Sequence, residues 1–477
     1  MSSSLRSSPT SRTIVIKLGS SSLVDPETHA PRLSTMSRVV ETVVALKRQG
    51  HAVVIVSSGG VAMGMNAMHL AERPQTVPET QAVAAVGQGR LISKWDALFQ
   101  EYEQGIAQIL LTRNDILDWK QYNNARNAIQ TLLDMGVTPI VNENDTLSTS
   151  EIEFGDNDTL SGVTAALIEA DYLFLLTDVD CLYTADPRSD PTATRLITVD
   201  MARANDSDNE HNPLAGVDTS SGAGSSVGTG GMRTKLVAAD LATKAGVTTL
   251  VMRSEQPANV ALVMDYLGRD AFRGLDAEQE EKLLEEQGVP LHTKFLPISR
   301  DNRLENRQFW ILHGLVSKGS IIIDNDMYQN IIERDSDDAD NNDNDADDND
   351  ECASALSIDY QGGLPASGII DVQETFHEMD CVNLKVGRRL SNGDLDPEFP
   401  LRTVGRARCN YTSTELNRIK GITRGESVTS FLGYSGSDNE GGPGAKSPSE
   451  DPRVSRLAED LHECCIASRE NLAFIPM

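Results

Sequence analysis

Residues 13–64 read TIVIKLGSSSLVDPETHAPRLSTMSRVVETVVALKRQGHAVVIVSSGGVAMG, and this stretch decides the fold. It opens with a short β-branched run, Ile14 to Ile16, followed by small residues. A helical stripe of Met36, Val39, Val40, Val43, Val44 and Leu46 comes next, stopped by Gly50, and then a second run, Val53 to Val56. Strand, helix and strand in that order form the unit from which a parallel sheet covered on both faces is built. The rhythm continues with candidate strands at Ala107 to Leu111, Val137 to Val141, Tyr172 to Leu176 and Val247 to Val251. A further helix is expected to start near Asp158, with that carboxylate as its cap.

In an open parallel sheet, ligands sit beyond the carboxyl ends of the strands, so the residues found there carry the functional reading. The first strand delivers Lys17, Leu18, Gly19, Ser20 and Ser21: a cation in reach of a phosphoryl group, then residues small enough for backbone to approach a ligand. The second ends in Ser57, Ser58, Gly59 and Gly60, where glycine permits positive φ and leaves N–H groups free for an anion at the next helix. After Pro139-Ile140-Val141 come Asn142, Glu143, Asn144 and Asp145, then Glu151 to Asp158, acids and amides suited to an amino group and to cationic partners. Thr177 and Asp178 close another buried strand, and the segment Gly228 to Lys235 places a lysine after a flexible glycine run. That segment lacks Walker A spacing, and the glycines at 222, 224 and 228 lack the spacing and preceding strand of a dinucleotide fingerprint.

Composition narrows the classes further. A formal charge of −29 over 477 residues argues against a whole-protein role in binding a phosphate backbone. Six scattered cysteines without CxxC spacing and eight histidines without a ligand cluster leave no structural zinc or disulfide framework to expect. Residues 1–12 are Ser-rich without an apolar core and read as a disordered terminus of a cytoplasmic protein; no apolar run is long enough to span a membrane. Residues 204–228 read as a mobile loop, and 335–351, where ten of seventeen residues are Asp or Glu, as a disordered acidic insertion. Around the latter, Ser320 to Ile323, Gly368 to Val372, Cys381 to Val386 and Leu401 to Arg406 are the strands of a small β-rich domain. The expected layout is a larger α/β domain at 13–297, a linker at 298–317, the β-rich domain at 318–434 and a tail at 435–477. A terminal helix over Val454 to Ser468 is a possibility within that tail.

Taken together, IVIKLGSSSL, VIVSSGGVAMG, LLTRND with NNARN, PIVNENDTLSTSEIEFGDNDTLSG, LLTDVDCLYTADPRSDP and GTGGMRTKLVAADLATKAG resemble the amino acid kinase family, and within it the glutamate 5-kinases. The resemblance runs from Thr13 to about Tyr434. It implies an amino acid kinase-like, parallel-rich sheet sandwiched by helices, and transfer of phosphate from ATP to the γ-carboxylate of L-glutamate, a first step towards proline. By position it implies that Lys17, Lys235 and Asp158 are catalytic, with Asp158 orienting the two lysines, and that Ser58, Asp145 and Asn157 bind glutamate. ATP would meet Lys17, Thr177, Asp178, Thr229, Gly230, Gly231, Met232, Arg233, Thr234 and Lys235. Magnesium would arrive with the nucleotide, held by phosphate oxygens and water rather than by a protein site. Proline as feedback inhibitor, a separate glutamyl phosphate reductase as recipient of the product, and homo-oligomerisation are further expectations of the same resemblance.

GGLPASGIIDVQETFHEMDCVNL, VGRARCNYTSTELNRIKG and FLGY are similar to PUA domains, small β-barrels of RNA-modifying enzymes. An RNA-binding module is therefore the competing class. Residues 353–433 hold nine Lys or Arg against ten Asp or Glu, which is not a basic footprint. Within the kinase class, acetylglutamate, aspartate and carbamate are the competing acceptors, and the GDND cluster favours free glutamate.

Overall fold

In the computed structural model, Ile14, Val15, Ile16 and Leu18 have almost no exposed surface, because β1 (Thr13–Leu18) lies in the middle of its sheet with helices on both faces. The structure describes residues 11–147, 157–185, 190, 192–201, 214, 217, 231–268, 277–298, 305–329, 331, 363–421 and 465–475. The expectations for residues 1–10, for 335–351, for 204–228 other than Leu214 and Val217, and for 454–464 lie outside the described residues. Ser11 and Arg12, expected to be disordered, are instead tied down. Ser11 Oγ donates to the Gly50 carbonyl at 2.7 Å, and Arg12 pairs with Asp171 at 3.0 Å.

The chain divides into two units, Met1–Asn306 with Pro476–Met477, and Arg307–Ile475. In the first, β1 is followed by α1 (Ser20–Leu23), α2 (Leu33–Arg48), β2 (Ala52–Ser57), α3 (Gly60–Ala67) and α4 (Val77–Gln100). Then come β3 (Ile106–Leu111), α5 (Arg113–Leu117), α6 (Trp119–Asp134), β4 (Thr138–Glu143), α7 (Asn157–Leu167) and β5 (Tyr172–Thr177). A two-residue ladder pairs β6 (Leu182–Tyr183) with β7 (Arg195–Leu196); β8 (Thr198–Asp200), α8 (Met232–Lys244), β9 (Thr248–Arg253) and β10 (Thr293–Leu296) follow. The main sheet runs β3-β4-β2-β1-β5-β9-β10-β8, every neighbouring pair parallel except β9 and β10. The chain passes from β1 to β2 on one side and returns to β5 on the other, so β1 flanks the switch point where a doubly wound sheet opens a crevice.

The stripe read from the sequence is the buried face of α2: Met36, Val39, Val40, Val43 and Leu46 pack with Ile14, Ile16, Val53, Ile55 and Trp95 into one core. Gly50 turns the chain out of α2 at φ +94°, a conformation open to glycine at little cost. Helix α4 begins with a reciprocal cap: Thr76 Oγ1 accepts from the Glu79 N–H, and the Glu79 carboxylate accepts from the Thr76 N–H. Helices α3 and α4 cross without space for side chains. A Cβ on Gly64 would lie 2.0 Å from the Val83 carbonyl oxygen, and one on Gly87 would lie 1.7 Å from that of Gly60.

The second unit holds a five-stranded sheet ordered β13-β11-β14-β15-β17, from β11 (Ser317–Asp324), β13 (Ile369–Gln373), β14 (Cys381–Gly387), β15 (Arg402–Arg408) and β17 (Leu472–Phe474), with β12 (Leu364–Pro365) paired to β16 (Cys465–Ala467). Two expectations change here. The end of the tail at 435–477 is not separate, because β16 and β17 complete this unit's sheets; Cys465–Ala467 are strand, where a helix was considered. The linker at 298–317 contains a short helix, Asn306–Phe309, running into a π-helical turn at Trp310–Gly314, since Phe309, Trp310, Ile311 and Leu312 are apolar and buried. Arg406 secures that turn by donating to the carbonyls of Leu312 and Leu315, both at 2.7 Å, and Arg408 lies over the Trp310 ring.

Candidate active site

At the carboxyl end of β1 the Lys17 ammonium turns onto Asp158 Oδ1, and both side chains are almost wholly buried. Asp158 lies in the first turn of α7, which starts one residue earlier at Asn157. The expectation that its carboxylate caps the helix is therefore corrected. Oδ1 is taken by Lys17, while Oδ2 accepts from Thr234 Oγ1 at 2.7 Å and faces the Lys235 ammonium at 3.3 Å. Burial alone would push the Asp158 carboxyl up, but the Lys17 and Lys235 ammoniums outweigh it and hold the group well below the usual carboxylate range.

Lys235 reaches this point because α7 and α8 pack backbone to backbone. A Cβ on Gly162 would lie 2.7 Å from the Ala238 carbonyl, so only glycine lets the first turn of α8 come so close to Asp158. The result is two cations and one anion at the mouth of the crevice, a net positive locus fixed by buried partners. Such an arrangement can hold a polyphosphate and stabilise charge that grows during phosphoryl transfer.

Beside this bridge is a cavity of about 310 Å³ whose lining includes Ser58, Gly60, Arg73, Glu143, Asp145 and Asn157. Ser58 follows β2, with its N–H on the Leu18 carbonyl, and Gly59 takes φ +105° to turn the chain into α3. Asp145 follows β4. Its carboxyl is pushed up to about 6 by burial first and by Glu143 second, against a lowering hydrogen bond from Gln88 and the charge of Arg73. The Asn157 Oδ1 atom is buried with no hydrogen-bond partner among the described residues. A hydroxyl, a carboxylate and an unsatisfied amide oxygen converge there, a set that favours a cationic donor such as an ammonium.

Thr177 ends β5 and donates from Oγ1 to the Asp178 carboxylate at 3.1 Å; the pair stands at the carboxyl edge of the same sheet. Gly231 caps α8, and Met232, Arg233, Thr234 and Lys235 form its first turn, while Thr229 and Gly230 lie outside the described residues. Among the described residues no group of three His, Cys, Asp or Glu side chains is placed to hold a metal ion, and Asp158 is already engaged by cations. No helix among the described residues is long and apolar enough to cross a membrane.

Two residues that act on the Asp145 carboxyl, Gln88 and Arg73, escaped the sequence reading. Gln88 is a polar side chain only 6% exposed on the buried face of α4, and its position between Gly87 and Leu91 was the available signal. Arg73 stands in a polar connection between α3 and α4 that offers no periodicity to interpret.

The profile of the amino acid kinase family matches residues 12–254. Three similar proteins align along nearly the whole chain. An uncharacterized protein of Saccharomyces cerevisiae is 51% identical over 89% of this chain and 96% of its own length. A probable glutamate 5-kinase of Schizosaccharomyces pombe is 43% identical over 91% of this chain and 92% of its own. A glutamate 5-kinase of a Cyanothece species is 39% identical over 90% and 96%.

Proposed function

The chain belongs to the amino acid kinase family, and on that premise we propose that it transfers the γ-phosphoryl group of ATP to the γ-carboxylate of L-glutamate, giving L-glutamyl 5-phosphate. The observation that carries this reading is the Lys17–Asp158–Lys235 bridge beside a cavity lined by Ser58, Asp145 and Asn157. Similarity to glutamate 5-kinases along about nine-tenths of the chain supports glutamate as the acceptor.

A γ-carboxylate oxygen attacks the γ-phosphorus, the bond from that phosphorus to the β–γ bridging oxygen breaks, and ADP leaves. The acceptor is ionised at neutral pH, since a glutamate side chain titrates at about 4.3, so no general base is required. Positioning and charge stabilisation are then the main contributions of the protein. Lys17 meets the transferring group, Lys235 and the first turn of α8 meet the nucleotide phosphates, and Asp158 keeps both lysines in place. Magnesium on the nucleotide supplies further charge neutralisation of the phosphates. Ser58, Asp145 and Asn157 hold the amino acid, with Asp145 and the free Asn157 oxygen taking its ammonium.

Proline, which shares the ammonium and α-carboxylate of glutamate, fits the same polar wall and is proposed to compete there; inhibition that glutamate does not relieve would count against it. The acyl phosphate is labile in water and passes to a separate reductase. ADP release measured with L-glutamate, L-aspartate, N-acetylglutamate and carbamate tests the acceptor. Turnover with glutamate alone is expected. A preference for acetylglutamate, whose nitrogen carries no charge, would overturn the role given to Asp145.

A further inference from the structure

We propose that Gln88 is a positioning residue of this pocket, its side-chain amide holding the Asp145 carboxylate in the orientation that receives the substrate ammonium. The inference rests on the assignment of Asp145 as the ammonium's partner.

Gln88 is buried on α4, where an amide must find partners or incur a desolvation cost. Among the described residues, its partners lie at the end of β4 and just beyond it. Its Nε2 donates to the Glu143 carbonyl at 3.2 Å and to Asp145 Oδ2 at 3.4 Å, and its Oε1 accepts from Asn142 Nδ2 at 3.3 Å. Asn142 is itself oriented, because its Oδ1 accepts from the Glu143 N–H at 2.9 Å. With the Gln88 oxygen committed to Asn142, the group turned to Asp145 is a donor. A donor suits a carboxylate and not the proton of a carboxylic acid.

The amide is also held from beneath. Gly87, the residue before it, touches the backbone of α3 too closely for any Cβ, and a Cβ on Gly60 would lie 3.0 Å from Gln88 Nε2. Gln88 thus links the crossing of α3 and α4 to the acidic wall. The charged and titratable groups around Asp145 are Glu143, which disfavours its ionised form, and Arg73, which favours it, with Glu27 and His29 on the same cavity wall. Gln88 adds the hydrogen bond that favours ionisation.

The test compares the full-length chain with Gln88→Met, which keeps length without a donor, and Gln88→Glu, which keeps shape and reverses the polarity. Steady-state kinetics are measured from about pH 5 to about pH 8. For Gln88→Met the KM for glutamate is expected to rise roughly tenfold, about 1.4 kcal/mol, with kcat and the KM for ATP within about twofold of wild type. The acid limb of kcat/KM for glutamate moves to higher pH. Gln88→Glu should bind glutamate still more weakly, and Gln88→Met should add little to the KM defect of Asp145→Asn, since the two share one interaction. An unmoved acid limb, a Gln88→Glu variant with wild-type KM for glutamate, or a loss confined to kcat would overturn the proposal. Should Asp145→Asn raise the KM for glutamate and both Gln88 variants leave it unchanged, only this inference falls. An unchanged KM in Asp145→Asn would remove the assignment beneath it as well.

Discussion

Asp158 is buried between two lysines, and under the proposed function its charge serves folding and chemistry together. Removing one partner of a buried ion pair leaves the other uncompensated, a loss on the order of 3–5 kcal/mol. Asp158→Asn is therefore expected to lower the midpoint of urea unfolding as well as turnover. Because the folded-state pKa of Asp158 lies below its unfolded value, its contribution is fully present above the ordinary carboxylate range and fades as pH falls through the folded pKa. The stability gap between wild type and Asp158→Asn should narrow in strong acid; a gap independent of pH would contradict the assignment. Asp145 has the opposite sign. Its carboxyl is raised to about 6, so ionising it costs stability as pH rises through that value in the ligand-free protein. Asp145→Asn should raise the Tm at neutral pH and weaken glutamate binding, and a lowered Tm would refute this reading. Lys17 stands out in the sequence as a lysine at a strand end, and Lys235 as the lysine that closes a glycine run. The cap reading of Asp158 failed because local spacing does not reveal two lysines at positions 17 and 235.

At the scale of elements, the pocket depends on helices that meet without side chains between them. Glycines at 64 and 87 let α3 and α4 touch, and Gly162 does the same for α7 against α8. Gly87→Ala is expected to destabilise by roughly 1–3 kcal/mol through overpacking and to raise the KM for glutamate, because α3 carries Gly60 on the cavity wall. Equilibrium denaturation together with kinetics checks this, and unchanged stability would show that the crossing can relax. The strands β1, β2, β4 and β5 were readable as apolar runs because a central parallel strand is buried on both faces. β8 and β10 were not: they are three and four residues long, and β10 joins the sheet antiparallel to β9 with Thr293 and Lys294 in its sequence. Asn142 and Gln88 form a contact between β4 and α4 that only the tertiary fold creates.

For the whole molecule, the charge of −29 bears on partners rather than on the fold. Residues 363–421 of the second unit carry eight Lys or Arg and eight Asp or Glu, and several of those arginines are occupied within it. Arg406 serves the π-helical turn, Arg389 donates to the Ser367 and Ile369 carbonyls, and Arg388 pairs with Asp396. RNA retained on filters with a steep salt dependence is therefore not expected, and its observation would reassign the second unit. The strands of that unit were largely readable from alternating short runs. Its closure by Leu472–Phe474 was hidden by the long polar stretch that separates β17 from β15 in sequence.

Lys17 and its bridge to Asp158 are proposed to serve transfer of a phosphoryl group to the γ-carboxylate of glutamate. The most direct measurement traps the product with hydroxylamine, using ATP, magnesium and L-glutamate, for wild type and Lys17→Ala. γ-Glutamyl hydroxamate from the wild-type protein, with kcat at least about a hundredfold lower in Lys17→Ala, is the predicted result. Absence of hydroxamate from the wild-type protein, or equal yields from both, would contradict it.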